Sequence, residues 1–368
     1  MSDRIGLGAA LAAFALVLFC IAAPVQAEPY LAVQNGFKCS QCHVNPTGGG
    51  LRNDYGDVFA QTLMPMNRIN TGPDVWTGAL NSFIRIGGDL RFEGVYDQVR
   101  DQPSTNEFSL EQMRVYLEAS VIPNRLLVYA DEMVAPGGAT NEEAWAMYWS
   151  AGHEWYVKAG QMYLPFGLRL QDQTAFVQEV SGINMTTPDR GVEVGYLKGP
   201  WDAQLDVSQG TAGGPVVSNG KQFTGQAAFV EPIWRAGVAL DLNNSATTGR
   251  REAYGIFGGL RTGPVAWLAE ADVVLDHTVF PDKRTAAGLL EADWLILRGN
   301  NLKLTAEQLA PDQSIGIRRN GQSRWSIVYE LTPIQFVQLR TGFRYYDGIP
   351  QDPAQHQKLL FIELHGFF

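Results

Sequence analysis

From about Leu80 to Phe368, apolar and polar residues alternate along the chain with period two. Ile84, Ile86, Gly88, Leu90 and Phe92 interleave with Arg85, Gly87, Asp89, Arg91 and Glu93. Ala203, Leu205 and Val207 interleave with Asp202, Gln204, Asp206 and Ser208, and near the end Val337, Leu339, Phe343 and Tyr345 interleave with Gln338, Arg340 and Arg344. This period puts successive side chains on opposite faces of a strand and predicts sheet with two unlike faces. About 16 strand-like segments can be counted, and the breaks between them are alternately short and long. The short breaks are Pro123-Asn124, Gly152-His153, Gly199-Pro200, Glu231-Pro232, Gly263-Pro264, Gly299-Asn300 and Thr332-Pro333. The long ones are 97–106, 135–141, 162–189, 209–220, 243–249, 277–284, 311–320 and 347–356. A soluble all-β sandwich would also alternate, but it does not require this rhythm of connections. The pattern predicts an all-β, antiparallel outer-membrane barrel, and the even count places both ends of the barrel segment on the side of the short, periplasmic turns.

Aromatic residues strengthen the reading. Trp145, Trp149, Trp155, Tyr156, Trp201, Trp234, Trp267, Trp294, Tyr345 and Tyr346 gather near segment ends, as amphipathic rings do at the two interfaces of a bilayer. The chain stops at Phe367-Phe368 after alternating Leu360, Ile362 and Leu364, like the C-terminal aromatic signal of outer-membrane barrels.

The first residues read as an export signal. Arg4 precedes an apolar run from Ile5 to about Ala23, and Val25 and Ala27 supply the small residues of a cleavage site, so residues 1–27 are a signal peptide and the mature chain begins near Glu28. Cys20 suggests a lipoprotein, but Phe19 stands where a small residue is needed. No later apolar stretch reaches the roughly 20 residues of a spanning helix. Of 3 Cys, only Cys39 and Cys42 lie beyond the signal, so the large remainder has no disulfide. The formal net charge of -10 argues against nucleic acid as a partner and weakly favours cationic species.

Those two cysteines carry the chemistry. Cys39-Ser40-Gln41-Cys42-His43 is the attachment sequence of c-type haem, in which two thioethers hold the porphyrin and the adjacent imidazole binds the iron. A segment of about 50 residues buries little surface by itself, so a permanently attached apolar cofactor suits it as a core. The competing readings are a thioredoxin-like redox pair and half of a zinc site; no βαβ pattern and no second Cys pair supports them. The expected organisation is a small α-helical monohaem domain over 28–78 and a barrel over 79–368.

His43 is the expected proximal ligand of the haem iron, with the Pro46 carbonyl a candidate partner for its other ring nitrogen. Asn45 to Gly50 reads as a loop. Leu51, Tyr55, Val58, Phe59 and Leu63 then recur at helical spacing and could cover one haem face, with Tyr55 and Phe59 read as packing residues. Met64, fixed by Pro65, is the expected distal ligand and Met66 the alternative. An open sixth position, or a donor from the barrel such as Met162 or Met185, stays open as well.

In the barrel, Arg85, Arg91, Glu93, Arg114, Glu118, Glu193, Glu270, Asp272, Glu291, Asp293, Lys303, Glu307, Arg340 and Arg344 fall on the inner face, where a solvated or mutually paired lining is expected. The longest break, 162–189, is of the kind that folds inward, and its Asp172, Glu179, Met185 and Asp189 have no metal-site spacing. His153, His277, His356 and His365 are dispersed, and no nucleophile–base pair or phosphate loop is visible.

Taken together, the export signal, one N-terminal Cys-x-x-Cys-His, a short linker and a barrel resemble the fused outer-membrane monohaem cytochrome c–porin proteins, the iron oxidases of iron-oxidising bacteria. Pro29, the Gln34-Asn35-Gly36 run and the aromatic-Gly pair Tyr55-Gly56 carry the local likeness. Gly160-Gln161 through Pro165-Phe166-Gly167 resembles a segment of phosphate-selective-type porins. The resemblance implies haem attachment at Cys39 and Cys42, axial ligation by His43, oxidation of extracellular Fe(II), and a periplasmic cytochrome as acceptor. Outward electron export, and a diffusion porin with a haem-bearing plug or redox sensor, are the alternatives.

Overall fold

The computed structural model describes residues 28–69, 75–216, 218–245 and 249–368. The expected signal peptide lies outside the described residues. Three short helices precede the sheet: α1 (Pro29–Asn35), a 3-10 turn (Cys39–Gln41) and α2 (Asp54–Thr62). Sixteen antiparallel strands follow, from β1 (Ile84–Val99) to β16 (Gln357–Phe367). Each pairs with its sequence neighbours, and β1 also pairs with β16, from Asp89 opposite Phe367 to Val99 opposite Gln357, so the sheet closes into a barrel. Closure leaves no strand edge, and every ladder group finds a partner inside the sheet.

The alternation read from the chain is the alternation of the wall. In the strand Trp234–Ser245, Val238, Leu240 and Leu242 are exposed, whereas Asp241, Asn243 and Ser245 are buried in the lumen. Ile256, Leu205, Trp325 and Ile362 are likewise among the exposed side chains of the outer surface. An apolar outside on a closed sheet with a charged inside is the membrane-spanning type of barrel, because hydrocarbon accepts such a surface and water does not.

The turns follow the expected rhythm with one shift. Tight turns are made by left-handed residues such as Asn124 (φ 59°), His153 (φ 53°) and Gly263 (φ 60°). The break expected at Thr332-Pro333 instead lies at Gln335-Phe336, with Phe336 at φ 70°. Pro333 remains in the strand because the pairing slips between Leu331 and Ile334, and a proline without an N–H is tolerated at such an irregularity.

The lumen is filled from both ends. Much of its charged lining is mutually paired, with Arg114–Asp131 at 3.0 Å, Lys158–Glu193 at 2.9 Å and Arg340–Glu363 at 3.1 Å. The long segment between Met162 and Asp189 folds inward, as its length suggested. Its α3 (Phe176–Ser181) buries Phe176 and Val177 against Ala266, Leu268 and Leu289 of the wall. Glu270 accepts from the backbone N–H of Leu168 at 2.8 Å and Glu307 from that of Phe176 at 2.7 Å. From the opposite end, the N-terminal segment closes the mouth that carries the short turns.

Candidate functional site

The mouth is sealed one turn at a time. Lys38 Nζ donates to the carbonyls of Leu197, Gly199 and Trp201 at 2.6–2.8 Å. Gly36 abuts Pro232, Gln34 donates to the Gly263 carbonyl at 3.4 Å, and Arg298 donates to the Pro65 carbonyl at 2.6 Å. The backbone N–H of Met66 donates to the Thr332 carbonyl at 2.8 Å. Deeper in, Glu28 pairs with Lys303 at 2.9 Å and Tyr30 donates to Glu330 at 3.1 Å.

The Cys-x-x-Cys-His run winds into the 3-10 turn, where the N–H groups of Cys42 and His43 both donate to the Cys39 carbonyl, at 3.1 and 3.0 Å. Asn53 ties α2 to it. Its side chain caps the helix by accepting from the Gly56 N–H at 3.0 Å and donates to the Ser40 carbonyl at 3.1 Å, while its N–H donates to the Cys42 carbonyl at 3.0 Å. Gly56 is the crossing point: a Cβ there would stand 2.1 Å from the Cys42 carbonyl oxygen. The glycine run is equally constrained. Gly48, Gly49 and Gly50 all have positive φ (91°, 82° and 63°), and a Cβ on Gly48 would meet the Cys39 side chain at 3.3 Å.

These elements line a partly open cavity of about 110 Å³. Cys39, Cys42, His43 and Met64 line it, with Phe37, Gly56, Phe59 and Ala60 beside them. The inward segment contributes Phe166, Leu168, Arg169 and Met185, and the wall contributes Asp202, Gln226, Arg235 and Phe257. Five sequence-expected donors are therefore brought together: both cysteines, His43, Met64 and Met185. Met66 and Met162 are not among the lining residues; Met66 is exposed, and Met162 is buried in a separate cluster with Tyr129 and Trp145.

Other expectations change. His43 is only 3% exposed, and the backbone of Gly49 and Gly50, not the Pro46 carbonyl, lies against its ring. Burial and the nearby Arg52 cation lower its pKa to about 3, leaving a neutral imidazole. Of the five residues at helical spacing, only Phe59 lines the cavity; Tyr55, Val58 and Leu63 are exposed and Leu51 is buried under Tyr129. The buried face of α2 is instead Gly56, Asp57, Ala60 and Gln61, because Arg85 pairs with Asp57 at 3.3 Å and Gln61 binds the Trp76 backbone. Tyr55 and Phe59 do pack, edge-on to Phe37.

No disulfide joins the two cysteines, and burial raises both thiol pKa values, that of Cys42 to about 11. A thiolate-based redox pair needs the opposite shift. Two further lining residues, Arg52 and Arg169, carried no motif signal. Their only trace in the chain is position: Arg52 stands on the return from the glycine run, and Arg169 sits in the longest break.

No family model matches the chain, and no curated protein does. Solved structures do. An anion-selective porin from Comamonas acidovorans superposes with a TM-score of 0.63 at 10% identity, covering 78% of this chain and 100% of that one. OprB of Pseudomonas putida gives 0.60 at 9% identity over 78% and 95%. OmpT of Vibrio cholerae, as a loop-deletion mutant, gives 0.56 at 11% identity over 77% and 99%. At such identities the likeness concerns the fold. The chain is a closed sixteen-strand barrel of the porin type, preceded by a small helical segment.

Proposed function

We propose that this chain is an outer-membrane electron-transfer protein that carries one covalent c-type haem in the periplasmic mouth of its barrel. The reading rests on one observation above the others: Cys39, Cys42, His43 and Met64 line a single cavity, with the imidazole buried at its wall. A buried imidazole has two polar nitrogens to satisfy, and coordination of the iron would satisfy one of them. The neutral form of His43 is also the form that ligates. The haem, when bound, supplies a one-electron couple. Cys39 and Cys42 would tether it, His43 and Met64 would be candidate ligands of its iron, and Phe37, Phe59 and Phe257 would exclude water. The apolar outer surface and the porin-type fold support placement in the bacterial outer membrane.

Direction follows from the resemblance: extracellular Fe(II) is oxidised and the electron passes to a periplasmic cytochrome. The hydrocarbon slab is roughly 30 Å thick, so a haem at one mouth depends on a soluble partner at that mouth. Purification after co-expression with cytochrome c maturation tests this directly. The expected results are a mass increase of one haem on residues 28–368, visible ferrous bands, and bands that grow when Fe(II) is added. A purified protein with two free thiols after maturation overturns the haem reading, and a haem that Fe(II) leaves oxidised at every pH overturns the iron-oxidising one. The fold likeness to an anion-selective porin favours one second reading, a diffusion porin with this segment as plug, for which ion conductance that responds to haem reduction is the signature.

A further inference from the structure

Arg52 is a buried cation whose only counter-charges, Asp57 and Asp89, act on it without a direct ion pair among the described residues. It is 5% exposed, and among the described residues its side chain makes no hydrogen bond and no ion pair; its Nη2 is buried without a partner. The guanidinium lies 5.2 Å from the ring centre of Phe367, a contact that supplies no counter-charge. Asp57 of α2 feels the charge of Arg52 but makes its ion pair with Arg85, at 3.3 Å. Arg169 is similar in part: Nη2 donates to Thr47 at 3.2 Å, while Nη1 is buried and unpaired. Both residues line the cavity that holds Cys39, Cys42 and His43. A buried charge stays in a fold when it is paired, and a planar fork of N–H donors matches a carboxylate.

We propose that Arg52, assisted by Arg169, is an anion-binding site of this cavity whose ligand is a carboxylate-type oxyanion. The proposal rests on the haem reading for one of its two sources, the porphyrin propionates; the other is a free small anion such as phosphate. The role of Phe367 is then to hold the guanidinium in place from behind.

The test uses the full-length, haem-loaded protein as wild type, Arg52→Gln, Arg52→Lys and Arg169→Gln, titrated spectroelectrochemically from pH 5 to 8 with and without phosphate at constant ionic strength. Loss of the Arg52 charge favours the oxidised, more positive iron, so Arg52→Gln is expected to shift the reduction equilibrium about tenfold toward oxidation, which is 59 mV for one electron. It should also make the potential pH-dependent between pH 5 and 8, since burial raises the pKa of a carboxylate left without its cation. Arg52→Lys should retain most of the wild-type behaviour, and Arg169→Gln should show a smaller shift. A change independent of phosphate identifies the propionates; a phosphate response present in wild type and absent in Arg52→Gln identifies the free anion. An intact haem spectrum with the same potential, pH profile and phosphate response in Arg52→Gln overturns the proposal. If maturation attaches no haem, the haem reading fails separately. Phosphate must then still raise the melting temperature of the haem-free wild type and not of Arg52→Gln, and its failure to do so sinks the anion site as well.

Discussion

Asp172 and Arg324 stand 3.0 Å apart, joining the inward segment to the barrel wall. Arg344 reaches the same carboxylate at 2.9 Å, and Arg324 also pairs with Glu307. The segment that fills the lumen is therefore clamped by charge as well as by Phe176 and Val177.

The clamp gives a pH dependence with a definite sign. Burial would raise the Asp172 carboxyl, but Arg324 and Arg344 outweigh it and hold the pKa below the usual carboxylate range. A depressed carboxyl contributes stability that is complete above its ordinary value of about 4 and is lost as pH falls through the lower folded value. The docked segment should thus resist proteolysis equally at pH 6 and 8 and loosen only in strong acid. Asp172→Asn, which leaves two arginines facing an amide, should cost on the order of 3 kcal/mol and make residues 163–188 protease-sensitive at neutral pH.

Filling from both ends predicts a silent barrel. In planar bilayers the wild type should show little conductance, and Asp172→Asn should show intermittent openings as the inward segment releases. A wild-type conductance equal to that of an open sixteen-strand porin would contradict the packing of the lumen.

Met64 shares the cavity with His43 and Met66 does not. Met64→Ala in the haem-loaded protein is therefore expected to convert low-spin to high-spin absorption and to lower the potential, while Met66→Ala and Met185→Ala leave both unchanged. Low-spin spectra that survive Met64→Ala but not Met185→Ala would move the ligand to the inward segment.

Gly50 is a sensitive point of the glycine run. Its φ is 63°, a Cβ there would stand 2.1 Å from Tyr129 Oη, and that hydroxyl accepts from the Leu51 N–H at 3.1 Å. Gly50→Ala should lower stability by roughly 1–3 kcal/mol through strain and displacement of the tyrosine, read as a lower melting temperature. Tyr129→Phe, which loses only the acceptor, should cost about 1 kcal/mol.

Alternation with period two, punctuated by short and long breaks, was enough to read sixteen strands, their antiparallel order and the inward fold of the longest segment, because each is a local property of strands and turns. The Cys-x-x-Cys-His run could be picked out as a candidate for the same reason: it is five consecutive residues. Tertiary structure alone decided which residues meet. The face of α2 turned inward because Arg85 and the Trp76 backbone, both far along the chain, claim Asp57 and Gln61. Pro333 stayed in its strand because register, set across the barrel, absorbed it. Met64 and Met185 reached one cavity from positions 121 residues apart, and the Arg52 Nη2 was left without a hydrogen-bond partner, through the way two separate segments fill one lumen. Side-chain periodicity carries the direction in which each residue points; only chain closure and packing determine what it finds there.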